Sequence, residues 1–255
     1  SHGSGTYNLS AGDLATGSTI VGNFGTGTFN QVGGTHVTDN LILAANPGTT
    51  GTYNLSGDPA NSTLNTNFTI VGQAGTGTFT QTGGKHEVTT DLNLGQVAGS
   101  EGAYNLSGTG VVNVGRNLYV GIEGTGVFTQ SGTSQVNVTG GVVLSSNVNG
   151  TGVGTYNLQG GSLTSGYTNV GAQGKGTFNQ TGGLHTTFDL TVGDSANGPG
   201  SYSLSGSSSQ LTVNRMVLGG NSAGEGTFEL SAGSTLKANF ENVGYIGKGT
   251  FTQTG

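Results

Sequence analysis

The chain contains no cysteine and no tryptophan, a single methionine, and six lysine and arginine residues against twelve acidic ones. Without cysteine there is no disulfide scaffold, no thiolate metal site and no thiol redox centre. A net charge of -6 with no basic cluster argues against binding to nucleic acid. No apolar run is long enough to span a bilayer, and the opening residues SHGSGTYNLS have neither a basic nor an apolar signal region. A mature or internal soluble segment with no membrane insertion is therefore expected. Hydrophobic residues are also scarce, at 31%, which excludes an ordinary globular core.

What is abundant is glycine, at 53 of 255 positions, with serine, threonine and asparagine around it. Such a composition often stays disordered because too little area can be buried to offset chain entropy. The aromatic residues, however, recur too regularly for a low-complexity tract. They fall at Tyr7, Phe29, Tyr53, Phe79, Tyr104, Phe128, Tyr156, Phe178, Tyr202, Phe228 and Phe251, so that 244 residues are covered in ten steps averaging 24.4. That period signals a stacked repeat array. The units alternate between Tyr-x-Leu (TYNLS at Thr6 and Thr52) and Phe-x-Gln (TFTQ at Thr78), so the full repeat is a pair. Alternation slips at Phe228-Glu-Leu230, where a structural irregularity is expected.

Within each unit three short segments recur between glycine-rich corners: the aromatic strand, a weaker segment with residues such as Leu64, Val88, Val136 or Leu211, and a more apolar one such as TIVG at Thr69 or LYVG at Leu118. Short strands with glycine bends fit a polygonal coil, and helix is disfavoured by composition. Stacked coils bury what one coil cannot, each strand pairing in parallel with its counterpart above and below. The expectation is an all-β parallel β-solenoid over 1–255, a single repeat domain of about ten coils with three short strands per coil. Right-handed winding is the default for parallel crossovers. The aromatic residues form an inward ladder.

No motif points to catalysis or a cofactor. Gly75-Thr-Gly77 lacks the third glycine of a dinucleotide fingerprint, and Lys248 lacks the hydroxyl residue that follows a P-loop lysine. His36, His86 and His185 each lie seven residues after a phenylalanine, with Gln135 at the matching place in the third pair. Two coils separate neighbouring histidines, about 10 Å at the inter-strand spacing, too far to share a zinc ion, so a tolerated polar row is expected. The tightest acidic grouping is Asp39 and Asp91 with Lys85, His86 and Glu87 nearby; it does not recur, and a solvated scatter is expected. The buried glutamines, exemplified by Gln81, should bond backbone groups of the following corner. Eight Asn-x-Ser/Thr sequons fall largely out of the repeat.

Two outward rows are the candidate binding or decorated face: Thr6, Thr28, Thr52, Thr78, Thr155 and Thr177, beside Asn8, Asn30, Asn54, Thr80, Asn105, Asn157 and Asn179. They could order water like ice or meet sugars, or simply suit an exposed sheet.

The strings GTYNLSG, VGxxGTGTF and FTQTGG resemble repeats of large secreted bacterial surface proteins, of the autotransporter-passenger and PEP-CTERM-associated β-strand-repeat kind, over the whole chain. The resemblance implies a β-solenoid exported to the cell surface or beyond, as stalk, adhesin or matrix fibre, and transfers no catalytic residue. The expected function is a non-enzymatic structural stalk or fibre. Ice or glycan binding through the outward rows is the alternative, and a polysaccharide-active enzyme a distant third. Capping repeats are not visible at either end, so the expected partners are neighbouring repeats of the same chain or further copies stacked head to tail, with glycans as a candidate ligand.

Overall fold

The computed structural model describes residues 3–147, 149, 151–231 and 233–254, and they form a parallel β-solenoid. Numbering coils 1 to 11 from Tyr7 to Phe251, one strand per coil joins an eleven-stranded aromatic sheet that runs from Ser4–Leu9 to Lys248–Thr254. The remaining strands build a twelve-stranded second sheet. Pairing is parallel and in register, aromatic on aromatic, from Tyr7 on Phe29 to Phe228 on Phe251. A one-residue slip would turn every inward side chain out, so burial itself holds this register.

The second and third segments are not separate strands in most coils. In eight coils they run on as one strand of nine or ten residues, such as Ser62–Val71 and Gln135–Leu144. The chain bends there by leaving one or two residues unpaired, as between Val138 and Gly141, so hydrogen bonding resumes at once. In coils 4 and 5 the two segments do part, into Lys85–Val88 and Leu92–Leu94, and into Val111–Val114 and Leu118–Val120.

Inward positions alternate with outward ones. In the strand Thr76–Gln81, Gly77, Phe79 and Gln81 are buried, while Thr76, Thr78 and Thr80 reach solvent to differing degrees. Across from them lie Leu64, Val88, Val136 and Leu211, and beyond these Leu41, Leu43, Leu92, Leu94 and Val120, all buried. A core only a few side chains wide is continuous along the axis because each residue packs on its copies. That is how so few hydrophobic residues suffice.

Glycine here does more than permit bending. Gly72 closes the corner before the aromatic strand with φ +75, and a Cβ on Gly77 would lie 2.1 Å from the Gly72 backbone nitrogen. The corner thus folds its own backbone onto the strand, where no side chain fits. Two of the equivalent corner positions hold Ala44 and Ser145 at positive φ, and both open longer connections to a tyrosine coil.

The slip at Phe228 breaks neither sheet nor stack: Phe228 lies 5.0 Å from Tyr202 and 5.3 Å from Phe251. The backbone irregularity lies instead at coils 4 and 5.

Candidate functional site

All eleven aromatic residues share one stack. Consecutive ring centroids are 4.5–5.3 Å apart with interplanar angles of 3–21°. Strand spacing imposes this distance, and such pairs contribute about 0.5–1.5 kcal/mol each beyond area burial. Tyr53, Tyr104, Tyr156 and Tyr202 are fully buried, so each hydroxyl needs a partner.

The partner is the glutamine of the preceding coil. Tyr53, Tyr104, Tyr156 and Tyr202 donate to Gln31, Gln81, Gln130 and Gln180 Oε1, each at 2.6 Å. The glutamine nitrogens are taken by backbone carbonyls: Gln81 Nε2 donates to Gly84 O at 3.0 Å and to Val111 O at 3.1 Å. The corner contact expected for the glutamines is therefore present, with a second carbonyl one coil on. This also explains the paired repeat, since a Phe-x-Gln coil satisfies its amide only when a tyrosine coil follows. At the slip both halves change together, Leu230 replacing the glutamine and Phe251 the tyrosine.

The polar row formed by the histidines lies inside the core. His36, His86 and His185 are fully buried and stack on Phe29, Phe79 and Phe178 at 4.9–5.0 Å. Their Nδ1 atoms meet the hydroxyls of Tyr53, Tyr104 and Tyr202 at 2.9–3.0 Å. Because each tyrosine proton is committed to glutamine, Nδ1 must donate, which leaves Nε2 as an acceptor. Facing Nε2 are the hydroxyls of Thr19, Thr69 and Thr168, at 3.0, 3.2 and 3.1 Å. A chain of hydrogen bonds linking threonine, histidine, tyrosine, glutamine and backbone thus crosses three coils, three times. Burial lowers the histidine pKa from 6.5 to about 4 for His36 and about 3 for His86 and His185, with the charge of His36 a smaller cause for His86. Burial likewise raises the four tyrosines well above 10.

In the third pair the position in register with this row is Val136, not Gln135, because the corner after Phe128 is one residue longer. Tyr156 accordingly bonds Gln130 without a histidine. The sequence carries a signal for the threonines: third segments place threonine inward at Thr19, Thr69 and Thr168, one coil before each histidine, where Leu41, Leu92, Leu118 and Leu190 stand elsewhere.

The candidate outward rows sit side by side on the aromatic sheet. Thr6, Thr28, Thr52, Thr78, Thr155 and Thr177 are in register along the axis, interrupted by Ala103 and Val127. In the second row Asn30 donates to Asn8 and Asn54 to Asn30, both at 2.8 Å, and Asn179 to Asn157 at 2.9 Å. Thr80 and Asn105 continue that row in register. The sequon nitrogens of Asn54, Asn137 and Asn179 are thereby engaged in side-chain ladders.

The grouping of Asp39 with Asp91 does not form. Asp39 is exposed, Asp91 pairs with Arg116 at 3.4 Å, Lys85 pairs with Glu87, and His86 points inward. Among the described residues no three His, Cys, Asp or Glu side chains gather to hold a metal ion, and no helix is long and apolar enough to cross a membrane.

Fold and faces together define a β-solenoid repeat protein, a regular rod with polar faces. Compared with protein-family models, curated proteins and solved structures, the chain gives no match to any of them.

Proposed function

We propose that the chain is a structural repeat protein of the cell surface or extracellular space, a rigid β-solenoid stalk or fibre without catalytic chemistry. The observation that carries it is the unbroken stack of eleven rings and the two parallel sheets that continue from coil to coil among the described residues. At about 4.8 Å per coil the ten steps span roughly 48 Å. Neighbouring repeats or further copies stacked on its ends are the partners this function calls for. Pulling single molecules from both ends tests it: a stiff element that resists extension and then yields coil by coil is expected. Low-force extension, or bent and compact particles in electron micrographs, would contradict it.

A second function, water-ordering or glycan-binding by the aromatic sheet, is favoured by the in-register threonine row beside the asparagine ladder. Thermal hysteresis that vanishes in Thr78→Ala would support it, and an absence of hysteresis would remove the ice-binding form.

A further inference from the structure

The second sheet carries a feature that the repeat does not explain. On the second sheet Gly141, Tyr167, Asp189 and Arg215 of coils 6 to 9 stand in register, and Asp91 and Asn117 of coils 4 and 5 directly precede the paired Leu92 and Leu118; Asp91 and Gly141 are covered and the other four reach solvent. Five steps of about 4.8 Å make this row roughly 24 Å long. Tyr167 does not stand off the sheet. Its ring lies across Gly141, where a Cβ would come within 2.1–2.2 Å of ring carbons. The hydroxyl reaches Asn117 Oδ1 at 3.1 Å, two coils away. Asn117 is itself held, its Oδ1 accepting from Gly141 N at 2.9 Å, its Nδ2 donating to Tyr119 Oη at 3.1 Å, and its backbone nitrogen donating to Asp91 Oδ1 at 3.0 Å. The result is an aromatic face fixed flat on the surface and 39% exposed. No other coil offers glycine beneath a tyrosine in this way among the described residues.

Ion pairs flank the ring on both sides. Arg116 pairs with Asp91 at 3.4 Å, and Arg215 grips Asp189 through Nε and Nη2 at 2.9 and 3.1 Å. Two carboxylates against two guanidinium groups leave the row formally neutral. Beside it, where the strands part in coils 4 and 5, a shallow groove of about 450 Å³ is lined by Glu87, Asn113 and Asn137, linked amide to acceptor at 3.0 and 2.9 Å. Lys85 pairs with Glu87, so row and groove together offer one flat apolar ring, donors and acceptors of both kinds, and no net charge. A ligand matching all three has an apolar face, a dense set of hydroxyls and an extended shape.

We propose that this row and groove bind a neutral polysaccharide chain lying along the solenoid axis, one sugar ring stacked on Tyr167 and its hydroxyls bonded by Asn117 and the flanking ion pairs. The site lies on the opposite sheet from the threonine face, and it does not rest on the structural function: a stalk could carry it or lack it.

Affinity electrophoresis tests it, using gels containing mixed-linkage β-glucan, xylan, galactomannan or, as the anionic control, polygalacturonate. Retardation by at least one neutral polymer is expected. Tyr167→Ala should weaken it by about tenfold or more, as for loss of a stacked aromatic anchor. Tyr167→Phe, which keeps the ring, should stay within about threefold of the parent. Gly141→Ala, which lifts the ring while retaining it, should behave like Tyr167→Ala. Thermal melts of each variant confirm folding, which the surface position of Tyr167 favours. The proposal is overturned if no neutral polymer retards the protein, if polygalacturonate alone does, or if Thr78→Ala abolishes retardation while Tyr167→Ala leaves it intact.

Discussion

A buried tyrosine hydroxyl in this molecule is a commitment made by two neighbours. Tyr104 serves both Gln81 Oε1 and His86 Nδ1, whereas Tyr156 serves Gln130 alone because Val136 stands in the histidine row. Tyr104→Phe should therefore strand two buried polar groups and cost roughly 2–4 kcal/mol, and Tyr156→Phe about half as much. Native-state hydrogen exchange of coils 4 to 6 would read the difference; equal losses would mean the histidine contact contributes nothing. The converse change is mild by the same logic. Replacing Tyr104, Gln81 and His86 together with Phe, Leu and Leu copies what coils 10 and 11 and Leu64 already show, and should recover most of the loss.

At the scale of one strand and its corner, backbone packing is the strictest demand. The glycine two residues before each aromatic recurs in all eleven aromatic strands, from Gly5 to Gly249, and pairs with itself along the sheet. Gly77→Ala would drive a Cβ into the corner at Gly72, against backbone that cannot give way. A cost of about 3 kcal/mol or more is expected, concentrated in coils 3 to 5. Thr78→Ala, one residue on and facing out, should stay within about 0.5 kcal/mol of the parent. Urea unfolding followed by exchange at single amides would separate the two. A mild Gly77→Ala would show that the corner can open. At the equivalent corner positions Ala44 and Ser145 carry a Cβ at positive φ, whereas at Gly95 and Gly193 an added Cβ would lie 2.5 and 2.1 Å from a backbone oxygen.

For the whole molecule the three buried histidines tie stability to pH. Unfolded, each imidazole takes a proton near pH 6.5; folded, His36 does so only at about 4 and His86 and His185 at about 3, because burial penalises the charge. Between those limits the unfolded chain binds more protons. Stability is thus complete above pH 6.5 and falls as pH drops, by about 1.4 kcal/mol per pH unit for each histidine, down to about 4 for His36 and about 3 for His86 and His185. Melting temperature against pH should show that slope, and His86→Leu, which copies Leu64 in the same row, should reduce it by about a third. A flat profile from pH 7 to 4 would mean the imidazoles are not buried neutral.

The period, the parallel stacking and the inward aromatic ladder were legible in the sequence, because a repeat of one coil places like residues over like and alternation along a strand assigns their faces. The glutamine contact to its own corner was legible too, since it is local. Three things were decided only by the tertiary structure. The tyrosine hydroxyl and the glutamine amide meet because consecutive coils stack at strand spacing, although 23 residues separate Gln81 from Tyr104. The histidines turned inward because the corner length sets the phase of the next strand, and one extra residue after Phe128 put Val136 rather than Gln135 in their row. Tyr167 lies on Gly141 because a side chain on one coil reaches across the next, a relation that no single repeat contains. Periodicity fixes what each coil shares with its neighbours, and packing between coils decides what their differences do.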